Sequence, residues 1–155
     1  MIKERQGWKG RVRITVRNLD GDILDLVEMD NLITTVGLNM LRDLLKGDIS
    51  DGEIKYCGLG DDDTAPALGN TTLGNEVFRK ILTSSSSPDD GQLKTIFYIA
   101  PDEAVGTIEE IGWFAGAAAG AGADSGIMIS RVLYSRNKTT LESIQVERTD
   151  TIVEG

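Results

Sequence analysis

The feature that most restricts the possible folds is a two-residue alternation repeated in short segments along the chain. Residues 9–17, Lys-Gly-Arg-Val-Arg-Ile-Thr-Val-Arg, place Val12, Ile14 and Val16 on one side and Arg11, Arg13, Thr15 and Arg17 on the other. Successive side chains of an extended strand point to opposite faces, so this segment reads as a strand with one face in a core and one in water. Asn18-Leu19-Asp20-Gly21-Asp22 supplies turn chemistry and residues 23–29 read as a returning strand, which predicts a hairpin over 9–29.

One segment changes period. Val36, Met40, Leu41, Leu44 and Leu45 recur at helical spacing, Thr34 or Thr35 can cap the start, and Gly47 can take the left-handed conformation that stops a helix. One amphipathic helix is expected at about 35–46, its apolar stripe packed on the core. Further strands are expected at 53–59, 77–83, 93–100, 107–114, 127–134 and 141–153. The pairs 77–83/93–100 and 127–134/141–153 read as two more hairpins, around the polar stretches 84–91 and 135–138. Long connections fall at 60–75, with a short helical turn near 72–78, and at the Gly/Ala-rich 115–126. About seven to nine short strands with one early helix predict a mainly β fold, an antiparallel β-sandwich or jelly-roll-like single domain over 1–155.

Composition narrows the chemistry. The 155 residues include one cysteine and no histidine, which removes Ser-His-Asp and Cys-His catalysis, His-ligated zinc and an imidazole proton switch. Cys57 alone cannot close an internal disulfide, which suits a reducing or thiol-indifferent compartment. The first eight residues lack the apolar core of a signal peptide, and nowhere do about 18 apolar residues run together, so a soluble chain with no membrane partner is expected. Residues 1–17 hold six basic side chains against Glu4, so the rest of a chain of net charge −9 carries −14. That acidic remainder disfavours general nucleic-acid binding.

Candidate sites each have a plain structural reading beside them. Asp61-Asp62-Asp63 offers hard oxygen ligands for calcium or magnesium, but the run is contiguous and Thr72 stands where an EF-hand loop ends in Glu, so a solvated acidic loop is the simpler reading. Glu109 and Glu110 are neighbours on a strand and face opposite ways, which separates them as an acid–base pair. Gly116, Gly120, Gly122 and Gly126 lie between two strands with no lysine, unlike a phosphate-binding loop. Arg11, Arg13 and Arg17 form either a solvated strand face or an electrostatic dock for an acidic surface, a second copy of the chain being one such surface. Trp8, Trp113 and Phe114 are core cover or, if exposed, interface anchors.

Several blocks in order carry a resemblance. They are Asn31-Leu32-Ile33-Thr34-Thr35-Val36-Gly37-Leu38, Gly58-Leu59-Gly60-Asp61-Asp62-Asp63-Thr64-Ala65-Pro66, residues 72–80, Thr107-Ile108-Glu109-Glu110-Ile111-Gly112-Trp113-Phe114, and Ser130-Arg131-Val132 followed by Lys138-Thr139-Thr140. Together they resemble small tailed-bacteriophage virion proteins of tail-fibre or tail-associated type. Two places depart from that pattern: Asp61-Asp62-Asp63, where a Thr/Gly-rich loop is usual, and Glu147-Arg148, where a more apolar ending is usual and a changed subunit contact is the expected meaning.

The resemblance implies a structural protein of a phage or prophage particle, made in the host cytoplasm and located in the virion. It would act through contacts with other virion proteins and as a homo-oligomer such as a trimer, without catalytic residues or cofactors. Tail fibre or baseplate attachment stands ahead of capsid decoration. The expected subunit surfaces are the connections 60–75, 84–91 and 115–126. A receptor- or carbohydrate-binding module, with Trp113, Phe114 and the acidic loop in a calcium-assisted site, is the alternative from another class.

Overall fold

A computed structural model describes residues 7–153. The chain runs β1 (Gly7–Asn18), β2 (Ile23–Asn31), α1 (Thr35–Lys46), β3 (Ile54–Gly60), β4 (Glu76–Ile81), β5 (Ser84–Ser86), β6 (Gln92–Ile99), β7 (Gly106–Ala115), β8 (Ile127–Lys138) and β9 (Glu142–Val153). A five-stranded sheet in the order β2-β1-β9-β6-β5 faces a four-stranded sheet in the order β4-β3-β7-β8. All neighbouring strands pair antiparallel, giving the expected mainly β sandwich with one helix.

The inward residues of the alternation build one core. Val12, Ile14 and Val16 of β1, Phe97 and Ile99 of β6, and Ile144 and Val146 of β9 pack with Cys57, Leu59, Ile111, Trp113 and Ile129 from the other sheet, all essentially inaccessible. The first hairpin turns through Gly21 at φ 89°, a left-handed value that favours glycine there.

Thr34 caps α1, its hydroxyl accepting from Gly37 N–H at 3.1 Å and donating to the Met128 carbonyl at 2.6 Å. Thr34 N–H also donates to the Ile129 carbonyl, so the approach to the helix covers the start of the edge strand β8. Gly37 sits against β8 so closely that a Cβ would lie 3.1 Å from the Ile129 Cα. At the far end Gly47, at φ 77°, donates to the Leu44 carbonyl. Met40 is buried, whereas Leu45, placed by spacing alone at the edge of the apolar stripe, is 81% exposed.

Two expected hairpins are replaced by crossings between sheets. Leu82 N–H donates to Lys55 of the four-stranded sheet, and the next residue, Thr83, donates to Ile96 of the five-stranded sheet. The chain thus changes layer between β4 and β5, and β6 pairs with β5 and β9 rather than with β4. Likewise β8 pairs with β7, while β9 crosses to lie between β1 and β6. Residues 135–138 belong to β8 rather than to a turn, and no helical turn forms at 72–78, where Leu73 is buried and β4 begins at Glu76. Alternation identifies a buried face but carries no information about which strand lies alongside.

Arg148 lies inside the sandwich. It continues the inward phase of Ile144 and Val146, is 0% exposed, stacks over the Trp113 ring at 5.0 Å and bonds Asp150 at 2.9 Å. Asn31 completes the site, its side-chain oxygen accepting from Arg148 at 2.6 Å and its nitrogen donating to the Gly10 carbonyl at 3.0 Å. Gly10 makes room, since a Cβ there would come within 2.4 Å of the guanidinium. The Arg148 half of the departure at Glu147-Arg148 is therefore an internal ion pair rather than a surface for a subunit, while Glu147, on the other face, pairs with Lys94 at 2.8 Å.

Candidate functional site

The centre of the outward face of the four-stranded sheet is not open to water, although Ile81 and Leu133 at its edges are exposed. Register places Gly58 opposite Gly112 and Arg79, Gly60 opposite Glu110, and Gly112 opposite Arg131. These positions alternate with the inward Cys57, Leu59, Ile111 and Trp113, so a stripe of glycines lies on the outer surface. Loops fill the space above it. A Cβ on Gly60 would lie 2.5 Å from the Asn75 carbonyl, one on Gly112 would lie 2.9 Å from the Leu73 side chain, and one on Gly74 would meet Asp62 at 2.3 Å. Leu73, Phe114 and Met128, with Tyr56 and Ala119, form a second small apolar cluster under the two long connections.

Two buried arginines pin these connections down. Arg131 of β8, its side chain 3% exposed, pairs with fully buried Glu110 at 2.8 Å. It also donates to the Thr64 carbonyl at 2.7 Å and the Asp62 carbonyl at 3.2 Å. The second Glu110 oxygen accepts from Asn75 N–H at 3.1 Å, so one ion pair holds both ends of the connection at 61–75. Arg79 of β4 does the same for the connection at 116–126. It pairs with Glu76 at 2.8 Å, both side chains buried, and donates to the carbonyls of Gly120 at 3.0 Å and Ser125 at 2.8 Å. Its guanidinium lies 3.9 Å from the Phe114 ring centre, a cation–π contact shielded from water. The result is a plate of two immobilised loops whose outer side exposes small and acidic residues, among them Asp61, Asp63, Ala118 and Ala123.

The acidic run is dispersed within this plate. Asp61 accepts from the Asn75 amide at 2.7 Å, Asp62 accepts from Thr64 N–H at 2.7 Å, and Asp63 faces solvent. Hydrogen bonds from Thr64 hold Asp62 below the usual carboxylate range, with Arg131 adding a smaller charge effect. Consecutive residues in irregular backbone point apart, and among the described residues no group of three or more such side chains gathers in a metal-binding arrangement. A bulge between Ile108 and Glu110 breaks the expected alternation at the glutamate pair: half-buried Glu109 accepts from the Ser135 hydroxyl at 3.2 Å, while Glu110 is buried under the loops.

The basic strip is paired within its own hairpin. Arg11 bonds Asp30 at 2.8 Å and Glu28 at 3.1 Å, Arg13 bonds Glu28 at 2.8 Å, and Arg17 donates to the Gly21 carbonyl. Bonds from Arg13, then Arg11, lower Glu28. The carboxylates of β2, directly across the ladder, thus partner Arg11 and Arg13, whose side chains stay half exposed; Lys3 and Arg5, counted in the basic N-terminal charge, lie outside the described residues.

Trp113 and Phe114 are both 0% exposed and do not serve as surface anchors: one lies in the main core under Arg148, the other under Arg79. Trp8 is half-buried and donates from Nε1 to Asp150 at 2.7 Å. Of Arg79, Arg131 and Arg148, which organise the molecule, only Arg131 had a legible sign in sequence, as the one charge in the apolar run 127–134; Arg79 and Arg148 stand among other charged residues.

No family model, curated protein or solved structure matches the chain. Among the described residues no helix is long and apolar enough to cross a membrane.

Proposed function

We propose that the protein is a structural component of a tailed-phage or prophage particle, joined to other virion proteins through the loop plate. The observation that carries this reading is the anchoring of both long connections by buried arginine–glutamate pairs. Loops ordered in advance lose little conformational freedom on assembly, which favours a loop surface used for contact. The blocks that resemble tail-associated virion proteins coincide with this construction: Gly58 and Gly60 underlie the first loop, Gly112 supports Leu73, and Ser130-Arg131-Val132 supplies the anchoring arginine. Attachment at the tail, as fibre or baseplate component, ranks ahead of capsid decoration, and assembly as a homo-oligomer such as a trimer accompanies either. The carbohydrate-binding alternative loses the aromatic platform it needs, because Trp113 and Phe114 are covered.

Substitutions on the plate test the reading. Asp63→Arg, Ala118→Arg and Ala123→Arg alter exposed positions that hold no side-chain bond in the core, so melting temperature should stay within about 2 °C of the parent. Incorporation into particles, measured by quantitative proteomics of purified virions, should fall. Full incorporation of the triple variant would contradict a contact role for this face.

A further inference from the structure

A cleft of about 500 Å³ opens at one end of the sandwich, between α1 and the ends of β1, β6 and β9. Its walls are largely apolar, with Trp8, Met40, Leu44, Leu93 and Ile152 prominent, and its volume falls within the range of about 300–1,000 Å³ usual for binding sites. Its rim is acidic: Asp89 and Asp90, on the turn into β6, stand beside it, and no lysine or arginine appears among the described residues that line it. Asp150, deeper in, is already engaged by Arg148 and Trp8, whereas Asp89 and Asp90 make no ion pair among the described residues. Ile152 is 57% exposed at the mouth. An apolar hollow with unneutralised carboxylates on its lip is complementary to a large apolar side chain followed by a cationic one.

The geometry points to this cleft as the docking site for an extended segment of a partner protein in which a large apolar residue adjoins Lys or Arg. The identity of the partner as a protein rests on the assembly reading; the chemistry of the site does not. The turn at 84–91, an expected subunit surface, then contributes through Asp89 and Asp90, on the opposite sheet from the loop plate.

The test is an NMR titration of the full chain with the amidated peptide Gly-Leu-Lys-Leu-Arg-Gly, the acidic peptide Gly-Leu-Glu-Leu-Glu-Gly serving as control. The chain has two tryptophans, and Trp8→Phe assigns which indole N–H signal belongs to the cleft. The basic peptide should move the Trp8 signal saturably and the acidic one should not. Asp89→Asn with Asp90→Asn should weaken binding at least tenfold, and Ile152→Lys, at a surface position that leaves the core intact, should abolish it. An unmoved Trp8 signal, equal binding of the acidic peptide, or binding indifferent to these substitutions would overturn the proposal. Binding only to a variant lacking residues 1–6, Met-Ile-Lys-Glu-Arg-Gln, would also overturn it by assigning the cleft to the chain's own segment. A failed titration of a protein that is found in particles removes the cleft alone, whereas absence from particles removes the assembly reading and leaves the titration interpretable.

Discussion

Arg131→Met should strip the first loop from the sheet it covers. The arginine is 3% exposed and makes three hydrogen bonds, to Glu110, Thr64 and Asp62, while Glu110 is fully buried and keeps only the Asn75 N–H once the guanidinium is gone. Leaving one charge of a buried pair without its partner destabilises by about 3–5 kcal/mol. At roughly 2–4 °C per kcal/mol for a chain of this size, the melting temperature should drop by about 6–20 °C.

Adding Glu110→Gln should recover at least half of that loss, because glutamine keeps an oxygen for Asn75 and carries no charge to strand. The carbonyls of Asp62 and Thr64 still lack their donor in the double variant, so amide exchange in the 61–66 segment should stay fast even as global stability returns. Urea unfolding gives the first quantity and hydrogen exchange the second. A single variant within about 1 kcal/mol of the parent, or a double variant no better than the single, would refute the idea that this ion pair anchors the loop.

Gly60→Ala forces a Cβ to within 2.5 Å of loop backbone at Asn75 and should lose about 1–3 kcal/mol, while Gly112→Ala meets side chains alone, the ends of Leu73 and Met128 at 2.9 and 3.0 Å and the Phe114 ring at 3.3 Å, and should lose less; urea midpoints in the reverse order would contradict the packing described. Burial alone would raise Glu142, but bonds from Arg136 and Thr139 outweigh it and hold the folded carboxyl below its ordinary 4.5. Its stabilisation is therefore present above about pH 4.5 and lost as pH falls, and Glu142→Gln should flatten the decline of the urea midpoint between about pH 5 and 3. Burial, then the Asp25 charge, pushes Tyr134 up to about 12, so its contribution is complete below pH 10 and disappears as pH rises toward 12. Ultraviolet titration should show a tyrosine step near 12, and Tyr134→Phe should remove it.

Local features of the fold were legible and distant ones were not. The hairpin over 9–29 and the helix at 35–46 follow from periodicity, capping and turn chemistry contained within each segment, which is why β1, β2 and α1 match them closely. The partners of β6 and β9 depend on long-range closure of the sandwich, and the chain changes layer at 82–83 and 139–141, just outside the polar stretches 84–91 and 135–138 that looked like hairpin turns. The same distinction governs the site. The loops at 61–75 and 116–126 were readable as long connections, yet their convergence on one face depends on strands far apart in sequence. Gly58, Gly60 and Gly112, outward in phase, were the available sign that something packs against that face. The anchoring role of Glu110 has no sign in its own segment, because its partner lies 21 residues away on the neighbouring strand.

Immunogold electron microscopy of purified particles, with antibody against this chain and a particle proteome in parallel, tests the central claim most directly. Label along the tail or at its tip is the expected result, and label over the capsid would move the protein to decoration. No label anywhere, with no peptide of the chain in the proteome, would contradict a structural role in the particle.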